Sequence, residues 1–133
     1  KHLKAYRGMP IWCSDFITRM DYAYAAADLI ISRAGASSIS ELCLLKKPVI
    51  LVPSPNVAEN HQYYNGKVLS DIGAGILIEE KNLNEKSITE AFDSLYLNPE
   101  KIIKMGQLAK TTYRRDCLDI IYNNLNLDPK NGD

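Results

Sequence analysis

The sequence predicts one α/β domain built around a parallel sheet. Its 133 residues fit a single domain. Three short apolar runs, at residues 29–31, 49–52 and 75–79, alternate with helix-like segments. In the first two runs the apolar residues are consecutive, which is typical of strands covered on both faces. Strands that alternate with helices favour a parallel sheet with right-handed crossovers.

The N-terminal part is predicted to lead into the first of these strands. Residues 9–13 (MPIWC) form a short apolar run and a weak strand candidate. Residues 15–27 predict a short helix or turn, with Ile17, Met20 and Tyr24 on one side. A strand covering residues 27–32 follows.

The central part is predicted to continue as helix, strand and turn. A helix at residues 38–45 places Ile39, Leu42 and Cys43 toward the core. Lys46 and Lys47 are expected in its last turn, where cations complement the helix dipole, and a proline then stops the helix. The strand at 49–52 is followed by a rigid Pro-Ser-Pro-Asn turn.

The C-terminal half predicts mostly helices. They cover residues 59–72, 84–97 and 116–125, and Gly73 ends the first of these. A further helix, between the last two, starts with Asn98 as cap and Pro99 at its first position. The inward residues are expected to be Ile88, Ala91, Phe92, Leu95, Ile102, Ile103, Met105 and Leu108.

Composition excludes several classes of function. The chain is 46% hydrophobic and 24% charged, as expected for a globular domain. Sixteen basic residues balance sixteen acidic ones, so no electrostatic footprint for nucleic acid or an anionic membrane is present. Three well-separated cysteines without a CxxC pattern indicate reduced thiols of a cytosolic protein. No apolar run approaches the ~20 residues that span a bilayer.

The turn after the first strand is the main candidate site. Ala34, Gly35 and Ala36 lack bulk, so a ligand can approach the backbone closely. Ser37 and Ser38 open a helix whose positive end suits a phosphate. The spacing is neither that of a dinucleotide fingerprint nor that of a P-loop, which supports neither NAD nor ATP.

The same stretch also has a purely structural interpretation. Ser38 and Glu41 match a capping box, in which the serine caps the helix and the glutamate reaches back. Alternatively, Glu41 lies one turn from the phosphate position and accepts hydrogen bonds from vicinal hydroxyls, as acidic residues of dinucleotide sites do on ribose.

Two further clusters are predicted near this turn. Residues 56–65 follow the second strand at the same sheet edge and offer Asn60, His61, Gln62 and Asn65 as hydroxyl or amide partners. A plain surface loop is the alternative. Ile17 and Met20 could stack on a flat ring or belong to the core. No metal-ligand pattern is visible, so the charge on a diphosphate would fall to the helix start and cations such as Arg33.

Three segments together resemble one family. DFITRM at 15–20, the stretch at 25–69 that contains SRAGASSISE and NHQYYN, and IGAGILI at 72–78 are similar to the C-terminal domain of the MurG glycosyltransferases. The resemblance implies a Rossmann-like parallel sheet in the C-terminal half of a two-domain GT-B fold. It also implies an inverting transfer of N-acetylglucosamine from its UDP donor to lipid I, giving lipid II for peptidoglycan, without an obligatory metal or other cofactor.

The resemblance also implies roles for individual residues. Ile17 corresponds to the residue whose backbone meets the uracil, with Met20 nearby. Glu41 corresponds to the ribose carboxylate, and Gln62 to a glutamine that reads the sugar hydroxyls. His61 stands where some members have another glutamine. The helix start over the diphosphate corresponds to Ala36, Ser37 and Ser38.

Residues 1–133 would then be a partial C-terminal domain, lacking the N-terminal domain and the first strand–helix–strand. The catalytic base, which is unassigned here, the acceptor site and contact with the inner face of the bacterial membrane would lie in the missing domain. Such a fragment is expected to be inactive alone. Its first strand would have a bare edge, so it is expected to pair differently, dimerise or depend on missing chain.

Two other functions stay open at this point. One is a non-catalytic subunit of a two-chain glycosyltransferase that binds a nucleotide sugar or recruits a partner. The other is a related UDP-hexosamine epimerase, against which the DFI and NHQ segments argue by resemblance.

Overall fold

The computed structural model describes residues 10–56 and 60–115, which form an alternating series of helices and strands. One of these elements is a short 3₁₀ turn, Glu80–Asn82. The other elements are α1 (Met20–Ala26), β1 (Ile30–Ser32), α2 (Ala36–Leu45), β2 (Val49–Leu51), α3 (His61–Asp71), β3 (Ile76–Leu77), α4 (Glu85–Tyr96) and α5 (Pro99–Arg115).

The three strands form one parallel sheet in the order β1-β2-β3. Ile30 pairs with Val49, and Ile50 pairs with Ile76. All three residues of the central strand β2 are buried. The predicted α/β fold with a parallel sheet is therefore confirmed.

Helices cover both faces of the sheet. Successive residues of a strand point to opposite faces, and accordingly Val49 and Leu51 belong to one core cluster while Ile50 belongs to another. The first cluster joins the sheet to α2, α3 and, through Ala109, to α5, and the second joins it to α4 and, through Met105, also to α5. Each crossover helix returns the chain to the same end of the sheet. The carboxyl ends of the three parallel strands therefore lie at one edge of the sheet.

Helix α5 approaches the end of α2 very closely at Gly106. A β-carbon added at Gly106 would lie 2.9 Å from the carbonyl carbon of Lys46 and 3.2 Å from its α-carbon. Lys46 itself has a left-handed backbone, with φ of 54°, and ends α2. Glycine at position 106 is therefore what lets these two helices touch.

The N-terminal strand prediction is wrong where it can be checked. Residues 10–13 form no strand, and Met9 lies outside the described residues. Ile11 and Trp12 are half or more exposed. Within the described part of the chain β1 pairs only with β2, so residues 10–13 do not add a strand to its free edge.

The expectation that β1 is covered on both faces is also wrong. Ile31 in its centre is 54% exposed. In the described residues β1 is an edge strand, which fits the predicted bare edge. Ile31 thus presents apolar surface next to unpaired backbone groups.

The lysines after α2 have a different role from the one predicted. Helix α2 ends at Leu45, so its last turn carries no basic residue. Lys47 Nζ instead donates to the carbonyl oxygens of Ala25, at 3.2 Å, and Ala27, at 2.7 Å. These bonds fasten the end of α1 to the start of β2.

Helix α4 begins one residue after the predicted start, with Asn84 as its cap and Ser87 completing a capping box. Pro99 is the first residue of α5, as predicted. Two inward assignments are wrong, since Phe92 is 43% and Ile103 61% exposed at the border of the apolar face. The predicted helix at 116–125 lies outside the described residues. None of the helices described here combines the length and apolar character that a bilayer span requires.

Candidate functional site

Arg33 ties together the loops that follow the three strands. Its Nη1 atom donates to the carbonyl oxygens of Val52 and Pro53, at 3.3 and 3.4 Å. The same atom forms an ion pair with Glu80 Oε2 at 2.5 Å. Arg33 was predicted as a cation for a diphosphate, but here this nitrogen is engaged in holding the sheet edge together.

Helix α2 begins two residues earlier than predicted. Gly35 is its N-cap, with an extended backbone and no side-chain cap, and Ala36 is its first residue. The Ile39 N–H donates to the Gly35 carbonyl at 2.9 Å. Ser38 is therefore inside the first turn, and its interpretation as the N-cap of a capping box is wrong.

This start leaves an anion-binding arrangement on the surface. The first N–H groups of a helix have no acceptor within the helix. Here they belong to Ala36, Ser37 and Ser38, of which Ser37 is exposed and the other two are half-buried. No side chain caps them, so these N–H groups and the helix dipole can meet an anion.

Gln62 of α3 lies beside this helix start. A β-carbon added at Gly35 would be 4.0 Å from Gln62 Nε2 and 3.9 Å from Ser38 Oγ. The other end of the Gln62 amide is fixed, because its Oε1 accepts the Ser54 N–H at 2.9 Å. The structure thus brings together the Gly35 turn and Gln62, which lie far apart in the sequence.

Asn65 supports the same turn from below. Its Nδ2 donates to the Ala34 carbonyl at 3.2 Å, and the residue is only 7% exposed. Its Oδ1 is buried with no hydrogen-bond partner among the described residues. Asn65 was expected as a hydroxyl or amide partner at this edge, and in the structure its side-chain amide supports the Gly35 turn.

Glu41 projects from the exposed side of α2, one turn after the helix start. Its Oε2 accepts a hydrogen bond from the Tyr24 hydroxyl of α1 at 3.0 Å. Partial burial, and then the hydrogen bond and charge of Glu41, raise the pKa of Tyr24 above its ordinary value. Sequence reasoning missed this contact, since the residues are 17 positions apart and share no local pattern.

Ile17 lies before α1, and Met20 is the first residue of that helix. Ile17 is half-buried and Met20 is 39% exposed, and neither belongs to a described core cluster. Ile17 lines a surface recess together with Trp12, Phe16 and Arg19. The core alternative for these two side chains is therefore not supported.

His61 is the first residue of α3 and is half-buried next to Gln62. Asn60, with a left-handed backbone, precedes it and is exposed. Among the residues that the structure describes, no group of three or more His, Cys, Asp or Glu side chains could hold a metal ion.

Gly35→Ala separates folding from ligand approach. An added β-carbon would make only ordinary van der Waals contacts, and the backbone φ of −65° suits alanine. The free energy of unfolding should fall by only about 0.5–1 kcal/mol, because alanine is a poorer N-cap residue than glycine. A methyl in a tightly filled site costs about 1–3 kcal/mol, so we expect the KM for a phosphorylated ligand held here to rise about tenfold. Steady-state kinetics and thermal melting measure the two effects, and an unchanged KM would contradict close approach at Gly35.

Comparisons with known proteins point to one family. The family model described as glycosyltransferase family 28 C-terminal domain matches residues 2–119. A UDP-N-acetylglucosamine–N-acetylmuramyl-(pentapeptide) pyrophosphoryl-undecaprenol N-acetylglucosamine transferase of Parabacteroides distasonis is 55% identical over 121 residues, covering 91% of this chain and 33% of the relative. The protein of the same name from Porphyromonas gingivalis is 47% identical, covering 91% and 32%.

A solved structure gives the same result. The crystal structure of Acinetobacter baumannii MurG matches with a TM-score of 0.71 and 29% identity, covering 90% of this chain and 37% of that one. The chain spans about a third of the length of these relatives. The predicted resemblance to MurG, and the fold as part of the C-terminal half of a GT-B enzyme, are confirmed. The chain belongs to the glycosyltransferase family 28 C-terminal domains.

Proposed function

We propose that this chain binds UDP-N-acetylglucosamine as the donor-site part of an inverting glycosyltransferase. The enzyme transfers N-acetylglucosamine to lipid I and makes lipid II for peptidoglycan. The observation that carries the proposal is that the uncapped start of α2, Gln62 and Glu41 belong to one sheet edge. The names of the relatives support the choice of donor and acceptor.

Different residues are assigned to different parts of the donor. The N–H groups of Ala36, Ser37 and Ser38 meet the diphosphate, where the helix dipole favours negative charge. Glu41 would repel phosphate but suits the ribose hydroxyls one turn away. The uracil is assigned to Ile17 and Met20, and the sugar hydroxyls to Gln62 and His61.

Gln62 is well suited to reading a sugar. Its Oε1 is held by the Ser54 N–H, which fixes the orientation of the amide and leaves Nε2 toward the helix start. A fixed amide donor discriminates among hydroxyl positions better than a mobile one, because its orientation entropy is already lost.

The remaining functions are assigned to the rest of the polypeptide. We propose that residues 1–133 are a partial C-terminal domain. The catalytic base, the lipid acceptor site and peripheral contact with the inner face of the membrane are then assigned to other parts of the full-length protein. The helix start stabilises the leaving diphosphate, so the proposal requires no metal. Pairing of the β1 edge with missing chain or with a second copy stays a prediction.

A transfer assay tests the proposal. The full-length protein is incubated with radiolabelled UDP-N-acetylglucosamine and lipid I, with and without EDTA. We expect labelled lipid II and UDP in both cases. Binding without turnover would favour the non-catalytic subunit, and conversion of the donor to an epimer would favour the epimerase. Either result would contradict the proposed transfer.

A further inference from the structure

We infer that Tyr24 is a positioning residue for the sugar-nucleotide donor, acting through Glu41. Its hydroxyl holds Oε2 of Glu41 and so orients the carboxylate toward the ribose hydroxyls. The inference rests on the proposed function and adds a residue to the donor site that does not itself touch the donor.

The two partners differ in how firmly they are held. Tyr24 packs against the core cluster that contains Ile39 and Leu42, so its ring and hydroxyl have a fixed position. Glu41 is exposed, and the Tyr24 hydroxyl is the only described hydrogen-bond partner of its carboxylate. A free glutamate loses considerable rotamer entropy when it is ordered. The hydrogen bond from Tyr24 orders Glu41 before the donor arrives.

The carboxylate retains enough acceptor capacity for the ribose. An ionised carboxylate has two oxygens with about four lone-pair positions. Tyr24 uses one position on Oε2, which leaves Oε1 and a second position on Oε2. Two vicinal hydroxyls can therefore bind while the Tyr24 bond persists, and the hydrogen bonds to the charged group are of the stronger kind.

Tyr24→Phe in the full-length enzyme tests the inference. The ring and its core packing remain, so thermal stability should change little. We expect the KM for UDP-N-acetylglucosamine to rise about three- to tenfold with kcat unchanged, because donor binding must then order the Glu41 side chain itself. Tyr96→Phe is the matched control, because Tyr96 is exposed on α4 and should show no change in KM.

A donor analogue separates positioning from structural support. The 2′-deoxyribose and 3′-deoxyribose forms of the donor each lack one of the hydroxyls proposed to bind Glu41. Tyr24→Phe should therefore raise the KM by less than about twofold for at least one of these analogues. An equal penalty on all three donors would overturn the inference, as would an unchanged KM for the natural donor. If Glu41→Ala and the deoxy donors raise KM but Tyr24→Phe does not, this inference fails and the proposed function stands. If none of them raises KM, the proposed ribose site fails.

Discussion

Glu41→Ala in the full-length enzyme should raise the KM for UDP-N-acetylglucosamine by about one to two orders of magnitude. Loss of hydrogen bonds to a charged group costs about 1.5–3 kcal/mol, and each 1.4 kcal/mol is about tenfold. The effect should appear in KM rather than kcat, because the ribose is bound equally in the ground and transition states. Steady-state kinetics with varied donor measure it.

Stability of the same variant distinguishes the two interpretations of Glu41. Since α2 begins at Ala36 without a side-chain cap, Glu41 does not cap the helix. The variant should therefore lose only the exposed Tyr24 bond and melt nearly as the parent does. Glu90→Ala, an exposed glutamate on α4, is the control and should leave KM unchanged. A lowered melting temperature with an unchanged KM would contradict the ribose assignment.

Gly106→Ala should destabilise the fold, although alanine is usually favoured in a helix. In an open helix interior the change would stabilise by roughly 0.5–1 kcal/mol. Here the added methyl would overlap the Lys46 carbonyl, which is backbone and cannot rotate away. Overpacking of this kind costs about 1–3 kcal/mol, so the free energy of unfolding should fall by about that amount.

Urea denaturation measures this effect through the transition midpoint. Gln107→Ala is the matched control, because Gln107 is the next residue of α5 and is exposed. It should change stability by no more than about 0.5 kcal/mol. A Gly106→Ala variant more stable than its parent would show that α2 and α5 do not pack as described.

Consecutive apolar residues made the sheet predictable. The runs at 49–52 and 75–79 contain β2 and β3, the run at 29–31 overlaps β1, and the parallel pairing of these strands follows from the helices between them. Pro99 marked the start of α5 correctly, because the preference of proline for the first helical position is a local effect. The wrong predictions concern the exposed fraction of side chains. Ile31 and Phe92 are apolar, but neighbouring elements cover them only in part.

The start of α2 shows why local signals mislead at a site. Ser38 and Glu41 have the spacing of a capping box, yet the extended backbone at Gly35 lets the helix begin at Ala36. A helix start without a side-chain cap is the exception to the local preference for Ser, Thr, Asp or Asn. Departures of this kind are expected where a ligand takes the place of the cap.

The meeting of the Gly35 turn with the start of α3 was predictable, but the contacts within the candidate site were not. Gln62 and the Gly35 turn follow neighbouring parallel strands, so their meeting at one edge follows from topology. The hydrogen bonds of Tyr24 to Glu41 and of Arg33 to Val52 and Pro53 join residues 17 to 20 positions apart. Such contacts depend on how helices and loops pack, for which the sequence offers no periodic signal.

A crystal structure of the full-length protein with UDP-N-acetylglucosamine tests the central claim most directly. We predict diphosphate oxygens within hydrogen-bond distance of the N–H groups of Ala36, Ser37 and Ser38, and ribose hydroxyls on Glu41 with the Tyr24 bond intact. A donor bound at this sheet edge with its diphosphate away from the start of α2, or with Glu41 turned to solvent, would contradict it.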